Sequence, residues 1–150
     1  MALAISTITN SIAALSVSGL TIKDMDEIPS GITARDCPML VPDMDSFVSG
    51  LEIISDTFGA ASVHKWTAKY HLNYLLLYAQ AGTGRVNIVE HYSGMVQKAF
   101  AFIDAVVAAD PVTGSVDSLA GTIGSFAIVE YGGVSFHSCA VSIAIQEFIN

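Results

Sequence analysis

WTAKYHLNYLLLYA, residues 66–79, decides the class of fold. Trp66, Ala68, Tyr70, Leu72, Tyr74, Leu76 and Tyr78 alternate with Thr67, Lys69, His71, Asn73, Leu75, Leu77 and Ala79, and only an extended chain turns a period of two into one apolar face. The second face starts polar and turns apolar at Leu75 and Leu77. One end of the strand is therefore expected to be covered on both sides.

Upstream, residues 47–54 have a strand-like pattern, and DTFGAAS, residues 56–62, supplies a turn before the long strand. The stretch DMDEIPSGITARDCPMLVPDMDS, residues 24–46, holds three of the four prolines. Proline donates no ladder hydrogen bond, so this stretch reads as a surface excursion with short edge-type strands, for example residues 39–41. Residues 20–23 read as a short extended segment. In residues 3–17, Ile5, Ile8, Ile12 and Leu15 fall at helical spacing opposite Ser6, Thr7, Thr9, Asn10 and Ser11, which predicts an amphipathic helix ending near Gly19. Its polar face bears no charge and suits contact with protein.

Downstream, the loop AQAGTGR, residues 79–85, leads to a helix expected over about residues 86–109, with Tyr92, Val96, Ala99, Phe100, Ile103, Val106 and Val107 as its stripe against the sheet. Asp110-Pro111 ends it. A glycine- and serine-rich connection follows, and then residues 126–131, Gly132-Gly133 and residues 134–147 read as a β-hairpin. The small residues Ala140, Ser142 and Ala144 on its second strand permit close approach by another layer. These elements predict an α+β fold: a mixed, mostly antiparallel sheet with two main helices packed on it, in a single domain over residues 1–150.

A chain of 150 residues buries about 70% of its unfolded surface. Only 13% of the residues are charged, against a usual share of about 25%, while 52% are hydrophobic. Such a surface is expected to be partly covered by a partner. Six basic residues stand against fourteen acidic ones, a net charge of −8, and the basic ones are scattered. Sequence-specific nucleic-acid binding is disfavoured. The N-terminal segment lacks a positive start and does not read as a signal peptide, and no apolar run is long enough to span a membrane. Cys37 and Cys139 read as reduced thiols.

Each candidate for chemistry has a plainer reading. Asp43 and Asp45 form an Asp-x-Asp pair beside Pro42 and read as turn formers before cation ligands. His64, His71, His91 and His137 are dispersed; His137 and Cys139 share a strand face but lack two further ligands for zinc. Cys37 lies beside Arg35 without a positioned base. Gly82-Thr83-Gly84-Arg85 lacks the spacing of either nucleotide-binding loop. Trp66, Tyr70, Tyr74 and Tyr78 read mostly as core. No catalytic, cofactor-binding or metal residue is nominated, no cofactor is expected, and the chain is not expected to be an enzyme.

An N-terminal helix leading into a proline-punctuated excursion (Ile28-Pro29 to Val41-Pro42), the aromatic strand from Trp66 to Tyr78, the loop and long helix from Gly82 to Ala109, and the closing hairpin at Gly132-Gly133 together resemble the tail-terminator, or tail-completion, and neck proteins of long-tailed bacteriophages. The likeness spans nearly the whole chain and contains no diagnostic motif. It implies a homo-oligomeric ring, commonly a hexamer, that ends the tail tube and joins it to the head connector, so that the partners are other copies, the tail tube protein and the head–tail connector protein. The place implied is the virion tail or neck, and the host cytoplasm during assembly. Strand edges, the loop at Gly82, Gly84 and Arg85, and the acidic turn at Asp24, Asp26 and Glu27 are the expected contact elements. The alternatives are another phage head–tail or tail-tube assembly protein, and a small ligand-binding module or enzyme using the aromatic strand as a pocket wall.

Overall fold

Alternation over residues 66–79 becomes a strand of 15 residues, Trp66–Gln80, paired along both of its sides. The structure is a computed structural model and describes residues 3–55, 66–81, 88–109 and 116–149. In chain order, helix α1 is Ile5–Ala13, and strands β1 (Thr21–Ile22), β2 (Met39–Pro42) and β3 (Val48–Ser55) lead to β4 (Trp66–Gln80). Helix α2 (Ile88–Ala108) then precedes β5 (Ser118–Tyr131) and β6 (Val134–Ile149).

The strands form one mixed sheet in the order β1-β2-β4-β6-β5, and β1 with β2 is the parallel pair. β6 runs antiparallel along the length of β4, from Trp66 opposite Ile149 to Gln80 opposite Phe136. The other side of β4 is shared: β2 takes Tyr74 to Leu77, and β3 takes Trp66 to Leu72. Between them the chain leaves the ladder, and Asn73 ties it back. The Asp43 amide donates to the Asn73 carbonyl (3.0 Å), the Asn73 amide donates to Phe47 O (2.7 Å), and the Asn73 side chain donates to Ser46 O (2.8 Å).

One sheet face carries the main core. Tyr70, Leu72, Tyr74 and Leu76 of β4 meet Cys139, Val141, Ile143 and Ile145 of β6, all buried with Ile8 and Ile12 of α1 and Met95, Ala99, Phe102 and Val106 of α2. Each such leucine or isoleucine contributes about 1.5–3 kcal/mol by leaving water. On the opposite face, toward one end, Ile32, Met39, Val41, Leu77 and Phe136 form a smaller cluster, and the Tyr131 hydroxyl donates to Pro29 O. Further along that face Lys69 and His71 are exposed.

Four expectations need correction. Of the expected stripe on α2, Ala99 and Val106 are buried and Ile103 packs against the core, but Tyr92, Phe100 and Val107 are exposed, and Met95 and Phe102 complete the inward side. A helix with apolar residues on several sides supports more than one stripe, and contact decides between them: a Cβ on Gly94 would overlap the Tyr78 hydroxyl, and one on Gly121 would lie 2.5 Å from Ile103 Cγ2. Both glycines let helix and sheet close together. Secondly, β5 starts at Ser118, inside the supposed connection, because pairing with β6 and the packing of Ile103 over Gly121 outweigh glycine's poor strand propensity. Thirdly, β2 is buried and lies between β1 and β4, with Pro42 beyond Met39 and Leu40, the residues that β1 pairs, so that on that side its missing donor breaks no ladder. Finally, α1 spans nine residues and ends at Ala13, well short of residue 17.

Gly132 and Gly133 make the β5–β6 turn with φ of +59° and +82°, the left-handed pair that a two-residue hairpin turn requires. A Cβ on Gly132 would also lie 2.7 Å from Gly31 Cα and 2.8 Å from Ser30 O, whereas Gly133 has open space. Gly133→Ala is expected to cost about 1–2 kcal/mol, the left-handed penalty alone. Gly132→Ala is expected to cost more, because main chain must also move. Equal midpoints for the two variants in urea unfolding would contradict this docking of residues 30–31 on the turn.

Candidate interaction surface

The structure places the acidic half of the expected contact set and not the glycine half. Met25–Glu27 is a single 3-10 turn started by Asp24, whose carboxylate accepts from the Met25 amide at 2.7 Å; Asp26 and Glu27 are exposed on it. Gly82, Gly84 and Arg85 lie outside the described residues, as does His64.

The chemistry-bearing side chains are held in quiet states. The amide and hydroxyl of Thr33 both donate to Asp36, at 2.7 and 3.1 Å, and hold its carboxyl below the usual range. Burial, and then the charge of Asp36, push the Cys37 thiol up, so thiolate formation there is opposed. Cys139 is fully buried and its thiol is pushed up to about 11 by that burial. The Asp45 amide donates to Asp43 Oδ1 at 3.1 Å, a local turn closure. Among the described residues no group of three histidine, cysteine or acidic side chains is placed to hold a metal ion. No described helix is long and apolar enough to cross a membrane.

His137 shares with Cys139 the sheet face that α2 covers, and its ring partner there is His91 of α2, with centroids 4.8 Å apart and Tyr78 5.8 Å from His91. The two histidines are remote in sequence, so no local spacing could reveal the pair. Burial, and secondly the neighbouring His91, lower the pKa of His137 below its model-peptide value of 6.5. The native state thus favours neutral His137. This contribution is complete above pH 6.5 and is lost as pH falls through the lower folded value. Between pH 7.5 and 5.5 the melting temperature is expected to drop further in the wild type than in His137→Gln; parallel curves would exclude the effect.

Glu147 is another residue that sequence reading passed over. It continues the inward register of Cys139, Val141, Ile143 and Ile145, is only 4% exposed, and accepts from the Ala4 amide (2.9 Å) and the Tyr70 hydroxyl (2.7 Å). An acidic residue at an inward strand position was the available signal. Burial, and then the bond to Glu147, push the Tyr70 hydroxyl pKa far up, so it stays a donor.

The surface feature that stands out is β3. Val48, Leu51, Ile53 and Ile54 are 39%, 51%, 54% and 41% exposed, on a strand whose far side meets no other strand among the described residues. A strand edge is a row of unused donors and acceptors, and soluble proteins blunt it with lysine, proline or bulges. β3 has no lysine or proline, and its devices are Glu52 and a bulge at Gly50. Trp66, next to it at the end of β4, is 42% exposed. β5 is the opposite edge of the sheet and exposes Ile128. The surface can therefore accept strands or apolar groups along two unlike borders. Compared with known proteins, the chain matches no family model and no curated protein sequence.

Proposed function

We propose that the chain is a structural virion protein that assembles with its own copies into a ring, ending a phage tail tube and joining it to the head connector. The observation that carries self-assembly is the apolar edge of β3, which a solitary chain leaves in water. Two unlike sheet borders, β3 and β5, support a head-to-tail contact, and such contacts close into rings when the rotation allows. The tail-terminator role rests on the order of elements described above. In this reading the chain performs no catalysis, its partners are the tail tube and connector proteins, and it resides in the virion tail or neck after assembly in the host cytoplasm.

Sedimentation and electron microscopy of the purified protein test the reading. Discrete rings are expected; open tubes would favour a tail-tube role, and single chains at every concentration, with tail tubes supplied, would refute it. Ile53→Lys puts a charge on the proposed border while changing monomer stability by about 0.5 kcal/mol or less. It is expected to shift rings to single chains, and rings of unchanged stability would remove β3 from the contact.

A further inference from the structure

Three of the six basic residues gather at one place. Lys23 and Arg35 line a hollow of about 490 Å³ with Gly19 and Cys37, and Lys98 reaches its rim from α2, donating to Ser18 O at 2.7 Å. Arg35 is exposed and has no ion pair among the described residues. The one acid lining this hollow, Asp36, feels Lys23 but is already engaged by Thr33. In a chain of net charge −8 this is a local inversion of sign.

The same chain carries its counterpart. Asp43, Asp45 and Glu130 line a second hollow, of about 440 Å³, that has no basic residue in its walls. Met44 stands at its rim, 68% exposed, more than any other large apolar side chain of the described residues. Lys23 and Arg35 of the first hollow, with Lys98 at its rim, outnumber Asp36, whereas the second hollow carries three acidic charges and no basic one. Resting on the self-assembly reading above, we infer that the basic hollow at Lys23, Arg35 and Lys98 receives the acidic corner at Asp43, Asp45 and Glu130 of a second copy.

Charge is the quantity that most needs arranging in this assembly. Copies at −8 repel at long range, so only approaches that set a positive patch on a negative one are favoured, and such complementarity fixes orientation and suppresses wrong contacts. A phosphate backbone suits the basic hollow less well, because it needs a continuous basic track and Lys69, the remaining described basic residue, is not in the walls of this hollow.

Two variants test the inference by exchange of charge. Lys23→Glu/Arg35→Glu makes both hollows acidic, and Asp45→Lys/Glu130→Lys makes both basic; Arg35, Asp45 and Glu130 are exposed and Lys23 is half-buried, and circular dichroism verifies folding. Each variant alone is expected to self-associate at least about tenfold more weakly than the wild type in sedimentation velocity. An equimolar mixture is expected to regain association, and added salt to weaken it. Failure of the mixture to regain association, or wild-type association by either variant alone, overturns the inference while leaving self-assembly standing. A wild type that never associates overturns both. Binding of the wild type to a single-stranded oligonucleotide, lost in Lys23→Glu/Arg35→Glu with self-association intact, assigns the hollow to phosphate and also overturns it.

Discussion

Phe102→Ala is expected to lower folding stability by about 3–5 kcal/mol, while Phe100→Ala, two residues away on the same helix, changes it by about 0.5 kcal/mol or less. Phe102 is fully buried, and its ring meets Tyr74 edge-on at 5.4 Å. Tyr74 in turn meets Phe47 at 5.3 Å, so Tyr74 is the middle of a three-ring chain on one sheet face, from Phe102 on α2 to the segment before β3. Truncation removes the transfer energy of the ring and leaves a cavity that the fixed strands cannot collapse to fill. Phe100 is 64% exposed and loses little. For a domain of this size the difference amounts to roughly 10 °C in melting temperature. The helical stripe expected from periodicity predicts the reverse order, so thermal unfolding of the two variants decides which side of α2 faces the sheet.

Glu147→Ala is expected to cost about 2–4 kcal/mol, because it strands two donors at once. The Tyr70 hydroxyl is buried and the Ala4 amide lies at the start of α1, so neither regains full hydration. Glu147→Gln retains one acceptor oxygen and is expected to fall between wild type and Glu147→Ala. The carboxylate also secures α1, since the Ile8 amide donates to Ala4 O and forms the first helical turn on the residue that Glu147 holds. Hydrogen exchange should therefore quicken at Ile8 in Glu147→Ala more than at Val141 in the middle of β6. A uniform acceleration across both would mean that Glu147 contributes to general stability and not to the docking of α1.

The candidate surface was only half legible beforehand. Scarcity of charge pointed to covered surface, but composition carries no address: the pattern of residues 47–54 reads equally as a buried or an exposed strand. Only the tertiary pairing shows that β3 meets β4 on one side and, among the described residues, no strand on the other. The basic residues looked scattered because Lys23, Arg35 and Lys98 are remote in sequence, and it is the packing of α2 near Ser18 that joins them. The acidic turn at Asp24 was legible because it is local, a short polar run whose own side chain closes it.

Local period and turn chemistry determined what the sequence could decide alone. The two-residue alternation of residues 66–79 is a property of the backbone pleat, and Gly132-Gly133 answers a left-handed turn that other residues enter at a cost; both hold whatever surrounds them. Tertiary structure decided the rest, namely which side of α2 is buried, that Ser118 to Gly124 is strand, that β2 lies inside the sheet, and that His91 meets His137. In each case several local choices have nearly equal energy. The contact that separates them, such as Ile103 over Gly121 or α2 over Tyr78, forms only when distant segments of the chain close on each other.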